Sequence, residues 1–362
     1  MSQASAVKDD VVSIEDLTVT YKTFNRNVIA LTNLNLDVPR STIIAVVGES
    51  GCGKSTLGLS LIGLLQRPPA IVGGGKIMFE GNDILKMSES ELSRLRGTGV
   101  SMIFQEPMSS LDPVYTVGQQ LTEAIDVREK RKSSRVYGPF ERASARQDAP
   151  SLVSKLAGLG ITERRLKRRY HPGARDALEK VQISDPTRVL DKYPHELSGG
   201  MAQRVMIAGA LVERPAFLIA DEPTSALDVT TQAQVLSLMR QLRDEVSTSI
   251  LFITHDLAVA AQIADQVIVM YAGEIVEQAS VREIFHANLH PYTEGLLKSF
   301  SHKYKDEGTM EAISGDVPNL KNLPTGCRFH PRCKYAFERC TREHPELLNA
   351  RENHKVACHL RS

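Results

Sequence analysis

Across residues 11–21 apolar and polar positions alternate, the period-two pattern of a strand with one buried face. Leu34, Leu36 and Val38 repeat it, so the chain opens on an antiparallel sheet. The pattern then changes. Residues 42–47 form a continuous, largely β-branched run that ends in a glycine-rich loop, which predicts a central strand buried on both faces. Residues 54–65 have helical character. Strand, glycine loop and helix in that order open an α/β core. Further helices are predicted over 88–96 and 116–125. Two more buried strands, 216–220 and 249–253, run into polar residues: Asp221 after the first, Thr254 and His255 after the second. Polar groups at the C-terminal ends of strands are where open α/β sheets bind ligands. From about Ala279 the pattern stops, and Pro291, Pro318, Pro324 and Pro331 punctuate a loop-rich tail, read as a second, smaller domain.

Composition adds limits. With 362 residues, 42% hydrophobic and 24% charged, the chain can bury one large core with additions. No stretch approaches the ~20 apolar residues that span a bilayer. The first ten residues are polar and lack the apolar core of a secretory signal, so a reducing compartment is expected. The formal net charge of +1 points to no partner, but it hides a local imbalance. Between 128 and 170 thirteen Lys or Arg stand against four acids. That segment reads either as a solvated insertion or as a contact with anionic headgroups or a membrane partner. It lacks the aromatic interleaving of a nucleic-acid surface, and no nucleic acid is expected as a partner.

Of five cysteines, Cys52 lies in the glycine-rich loop, while Cys327, Cys333, Cys340 and Cys358 crowd the last 36 residues. In a reducing compartment metal binding is the better reading of that cluster than disulfides. The spacing Cys-x5-Cys-x6-Cys-x17-Cys has neither the close pairs of a structural zinc site nor a tight ferredoxin run. Iron–sulfur, zinc and buried reduced thiols all stay open.

Three motifs carry chemistry. Gly48-Glu49-Ser50-Gly51-Cys52-Gly53-Lys54-Ser55, followed by Thr56, fits the phosphate-binding pattern G-x-x-x-x-G-K-[ST]. Gly48, Gly51 and Gly53 let consecutive backbone N–H groups, Ser50 among them, surround phosphate oxygens, and the helix adds its positive end. Lys54 is suited to the β- and γ-phosphates of a nucleotide and Ser55 to Mg²⁺. The strand ending in Asp221 and Glu222 offers one acid for Mg²⁺ and a second to activate water. Leu197-Ser198-Gly199-Gly200-Met201-Ala202-Gln203-Arg204 sets a serine and two glycines ahead of a helix, a second anion-binding terminus.

This last segment resembles the signature LSGGQ of the ABC ATPases, with Met201 where Gln is commonest, as in the dipeptide and oligopeptide import group. Other elements follow in order. Gln105 matches the Q-loop, which ligates Mg²⁺ and faces the membrane subunits. Ser225-Ala226-Leu227-Asp228 matches the D-loop at the dimer interface, and His255 the switch histidine. Tyr21 stands where the family stacks adenine, with Phe24 as its rival. His290-Pro291-Tyr292-Thr293 and the stretch 326–333 are similar to the C-terminal extension of peptide-importer ATPases.

The resemblance implies a P-loop NTPase fold of class α/β: a RecA-like core, an antiparallel β-subdomain and an α-helical subdomain. It implies a nucleotide-binding domain over 1–279, with its helical part at about 90–210 and the basic insertion at about 128–172. A small loop-rich extension would fill 280–362. It further implies an ATP-hydrolysing subunit that powers import of a solute, foremost di- or oligopeptides. ATP and Mg²⁺ would be its ligands, and Cys327, Cys333, Cys340 and Cys358 would bind a 4Fe-4S cluster, or zinc. Ser198 and Gly200 would close over ATP held by another chain. A second ATPase in a heterodimer, two transmembrane permease subunits and an extracellular solute-binding protein are the implied partners, at the cytoplasmic face of the membrane. An efflux cassette and an ABC protein of DNA repair or translation are the rivals. The tail argues against the first. The absence of a second cassette or a long coiled coil argues against the other.

Overall fold

The alternating segments near the start form β1 (Asp10–Lys22) and β2 (Asn27–Pro39). They pair antiparallel, with Val19 opposite Leu31 and Tyr21 opposite Val28. β4 (Ala70–Phe79) pairs with the other edge of β1, and β5 (Asn82–Asp83) completes a four-stranded sheet. The computed structural model describes residues 10–24, 26–133, 170–212, 214–225, 227–304 and 313–361. Most of the expected basic insertion, residues 134–169, lies outside them.

The second sheet has eight strands. β3 (Ile43–Val47), β7 (Phe217–Asp221) and β8 (Ser249–Thr254) are buried at every position. A strand covered on both faces tolerates no polar alternation, which is why these segments read as unbroken apolar runs. β9 (Gln266–Tyr271), β3, β8, β7 and β6 (Val100–Ile103) run parallel in that spatial order. β10 (Glu274–Ser280) turns back antiparallel against β9. Beyond it lie β12 (His354–Val356) and β11 (Leu348–Arg351).

The segment after Ala279 was expected as a domain of its own, but it adds two strands to this sheet. The physical reason is that the outer edge of β10 presents unpaired backbone groups, and a tail poor in apolar residues finds partners there. Glu277 pairs with Val356 and Gln278 with Lys355. The tail's large apolar side chains, Tyr292 and Phe329, join Ala45, Val47, Val269 and Tyr271 in one shared core.

Residues 1–105 and 214–362 form one compact unit and 106–213 another. In the second, the helices Val117–Ser133, Pro172–Lys180 and Gly199–Val212 pack on one another. The helix Glu89–Leu95, inside the expected helical range, belongs to the first unit. Among the described residues no helix is long and apolar enough to cross a membrane.

Candidate functional site

The loop between β3 and the helix Lys54–Leu61 is shaped by close approach. Gly53 caps the helix at φ 106°, and a Cβ there would lie 2.5 Å from the Ala30 carbonyl oxygen. A Cβ on Gly48 would collide with the carbonyl oxygen of Met270. Only glycine fits both positions. Lys54 is 6% exposed, and its Nζ donates to the carbonyl oxygens of Gly48 at 2.7 Å and Glu49 at 3.0 Å. The cation is thus folded over the loop that precedes it. Burial pushes the Cys52 thiol up, away from the reactive thiolate form. The Tyr21 hydroxyl sits 3.4 Å from Thr56 Oγ1, which brings the end of β1 to the helix's first turn. Phe24, its rival, is fully exposed.

Three neighbouring strands end on the polar residues. β7 finishes at Asp221, which is buried, with Oδ1 lacking a hydrogen-bond partner among the described residues. Burial raises the pKa of this carboxyl, and a hydrogen bond from Ser55 opposes the rise. Ser55 and Asp221 are hard oxygen donors beside each other, and one buried carboxylate oxygen is uncommitted. That set fits Mg²⁺.

Glu222 follows with a left-handed φ of 47°, and its N–H donates to the Ile253 carbonyl at 2.9 Å. Its carboxylate meets Gln105 Nε2 at 3.2 Å and His255 Nδ1 at 3.1 Å. Gln105 follows β6 and His255 follows β8. The parallel order β8-β7-β6 therefore sets the three ends side by side. Such an outlying backbone conformation clusters at functional sites, where it aims a side chain.

Asp228 caps the helix Val229–Val246, accepting from the Thr231 N–H at 3.0 Å and the Thr231 hydroxyl at 2.7 Å. In the second unit Ser198 Oγ accepts the Met201 N–H at 3.3 Å, opening the helix Gly199–Val212. Ser198 and Gly199 are exposed and Gly200 is half-buried, and beyond its chain neighbours and own helix no atom of the described residues lies within 4 Å of a Cβ built on Gly199.

In the tail, Cys340 and Cys358 are buried and Cys327 and Cys333 half-buried. Burial pushes the Cys327 thiol up to about 11, and Cys340, Cys358 and Cys333 add to the rise, so the four share one electrostatic neighbourhood. Among the described residues, however, no three His, Cys, Asp or Glu are arranged to hold a metal ion. The expected iron–sulfur or zinc set is not assembled by these side-chain positions.

Two contacts to the phosphate loop escape a reading of the sequence. Tyr292 Oη accepts the Glu49 N–H at 3.0 Å, across 243 residues. Arg332 grips the Glu49 carboxylate with both terminal nitrogens, at 2.7 and 3.1 Å, across 283 residues. The tail segments holding them were visible, but nothing local says which loop they meet.

The family model described as ABC transporter matches residues 31–225, and that of the oligopeptide/dipeptide transporter C-terminal region matches 276–340. The chain belongs to the peptide-importer ATP-binding subunits of the ABC transporters. It is 43% identical to the oligopeptide transport ATP-binding protein AppD of Bacillus subtilis, covering 91% of this chain and 90% of that one. It is 39% identical to the dipeptide transport ATP-binding protein DppD of Escherichia coli, covering 96% of each. Among solved structures, a dimeric ATP-binding cassette in a post-hydrolysis state with ADP and Pi superposes with a TM-score of 0.58 at 25% identity. That match covers 75% of this chain and 99% of the other. This importer subunit is accordingly an ABC-type ATPase built on an α/β nucleotide-binding domain, with ATP and Mg²⁺ as its expected ligands.

Proposed function

We propose that this subunit hydrolyses ATP to power the import of dipeptides or oligopeptides, acting at the cytoplasmic face of the membrane. The observation that supports it most is the Glu222 carboxylate held between Gln105 and His255 at the strand ends. In this reading Gly48, Ser50, Gly51 and Gly53 supply backbone donors to the phosphates. Lys54 leaves the carbonyls of Gly48 and Glu49 to pair with the β- and γ-phosphates. Tyr21 stacks on the adenine and Thr56 closes the phosphate cradle. Ser55, Asp221 and Gln105 would hold Mg²⁺, which when bound would supply positive charge beside the phosphoryl oxygens. Glu222 takes the proton of the attacking water, with His255 orienting the carboxylate and sensing the γ-phosphate.

Ser198 and Gly200 serve ATP bound to a second ATPase subunit, and Asp228 lies at that interface. The exposed signature helix end supports this pairing. Two permease subunits and an extracellular solute-binding protein complete the transporter. The likeness to an oligopeptide and a dipeptide transport protein supports the substrate class. A 4Fe-4S cluster at Cys327, Cys333, Cys340 and Cys358, with zinc as the alternative, rests on their shared neighbourhood alone. Iron, sulfide and zinc content of anaerobically purified protein tests it.

The function is tested by co-purifying the subunit with its permeases and reconstituting the complex in vesicles with labelled peptides. ATP-dependent peptide accumulation is expected. ATP hydrolysis by a complete transporter that accumulates no peptide would move the substrate to another solute.

A further inference from the structure

Two residues of the tail hydrogen-bond Glu49 of the phosphate loop. Arg332 makes a bidentate pair with its carboxylate, and the Arg332 side chain is only 4% exposed. Tyr292 takes its backbone N–H. Both tail groups are themselves fixed. Arg332 closes the short helical turn His330–Arg332, and its Nε donates to the Ser314 carbonyl at 3.1 Å. Tyr292 is fully buried, with ring centroids 4.7 Å from Tyr271 and 5.4 Å from Phe329. On the other side, the Glu49 carbonyl accepts the Lys54 ammonium. A continuous chain of contacts therefore runs from the cysteine-bearing tail through Glu49 to the lysine of the phosphate loop.

From this juxtaposition we propose that Arg332 and Tyr292 are positioning residues for the phosphate loop, through which the C-terminal tail sets this subunit's affinity for nucleotide. The inference rests on the reading of the loop as the ATP site. Two physical effects act together. Arg332 neutralises a carboxylate beside the place where a polyanion binds, and without it Glu49 repels phosphate. The two bonds also hold the loop backbone in one conformation before ligand arrives, which lowers the ordering cost of binding.

The test is equilibrium binding of a fluorescent ATP analogue to the full-length chain, with thermal melting of each variant as the control for folding. Arg332→Met should weaken binding about tenfold, the size of one lost charge-assisted contact. Glu49→Gln added to Arg332→Met removes the unpaired carboxylate and should recover most of that loss, a coupling that general destabilisation does not produce. Tyr292→Phe, which deletes only the hydroxyl, should weaken binding by a smaller factor of about three at a closely similar melting temperature. Wild-type affinity in both Arg332→Met and Tyr292→Phe would overturn the proposal. So would a loss in Arg332→Met that Glu49→Gln leaves untouched. If the wild-type chain bound no ATP and Lys54→Ala changed nothing, the reading of the site itself would fail instead.

Discussion

Glu222 shows how one backbone angle places chemistry. Its left-handed φ turns the side chain out of the strand direction and toward Gln105 and His255. Replacing it by Gln keeps shape and hydrogen bonding but removes the carboxylate proposed as the base. Turnover in the assembled transporter should then fall by roughly two or more orders of magnitude while ATP binding survives, as paired hydrolysis and binding assays will report. Hydrolysis near wild type would reassign the base. Gly53 makes the complementary case. With φ 106° and the Ala30 carbonyl against it, Gly53→Ala should cost about 1–3 kcal/mol of stability, read as a lowered melting temperature.

At the scale of elements, the turn into the helix Pro291–Tyr304 is held by a buried neutral imidazole. His290 is 1% exposed, and its Nδ1 accepts the Tyr292 N–H at 3.0 Å. Burial lowers its pKa from 6.5 to about 3. The folded chain therefore keeps the ring neutral, while the unfolded chain takes up a proton below pH 6.5. Stability from this group is complete above about pH 6.5 and is lost as the pH falls toward 3, at up to about 1.4 kcal/mol per pH unit. The melting temperature should fall on acidification from pH 7 to 5, and fall less steeply in His290→Gln. Equal slopes would show that the imidazole contributes nothing to the acid dependence.

For the whole molecule, the decisive feature is that the two helix ends proposed to bind nucleotide phosphates occur in two separate compact units, one opened by Lys54 and one by the exposed Ser198-Gly199 turn. If the second serves a neighbour's ATP, the isolated chain should bind ATP yet hydrolyse it slowly. Activity should rise steeply when its partner ATPase is added, as a titration of phosphate release will show. Fast turnover independent of concentration would place a complete site in one chain.

What the sequence determined by itself is what local physics controls. Unbroken apolar runs specified the central strands, and alternation specified β1 and β2. The glycines at 48 and 53 marked the phosphate loop, because close approach and positive φ admit no other residue. Asp221, Glu222 and His255 were legible as polar residues closing strands. That Gln105, Glu222 and His255 meet was decided by the order β8-β7-β6, which depends on how distant strands pair. Tertiary structure also brought the tail into the main sheet, since an open strand edge recruits whatever backbone reaches it. The cysteines illustrate the limit. Their spacing suggested a ligand set, but ligation depends on where four side chains point, and here they do not converge on a metal position. Arg332 and Glu49 were separated by most of the chain, and only folding, by burying Tyr292 and Phe329 against Tyr271, made them neighbours.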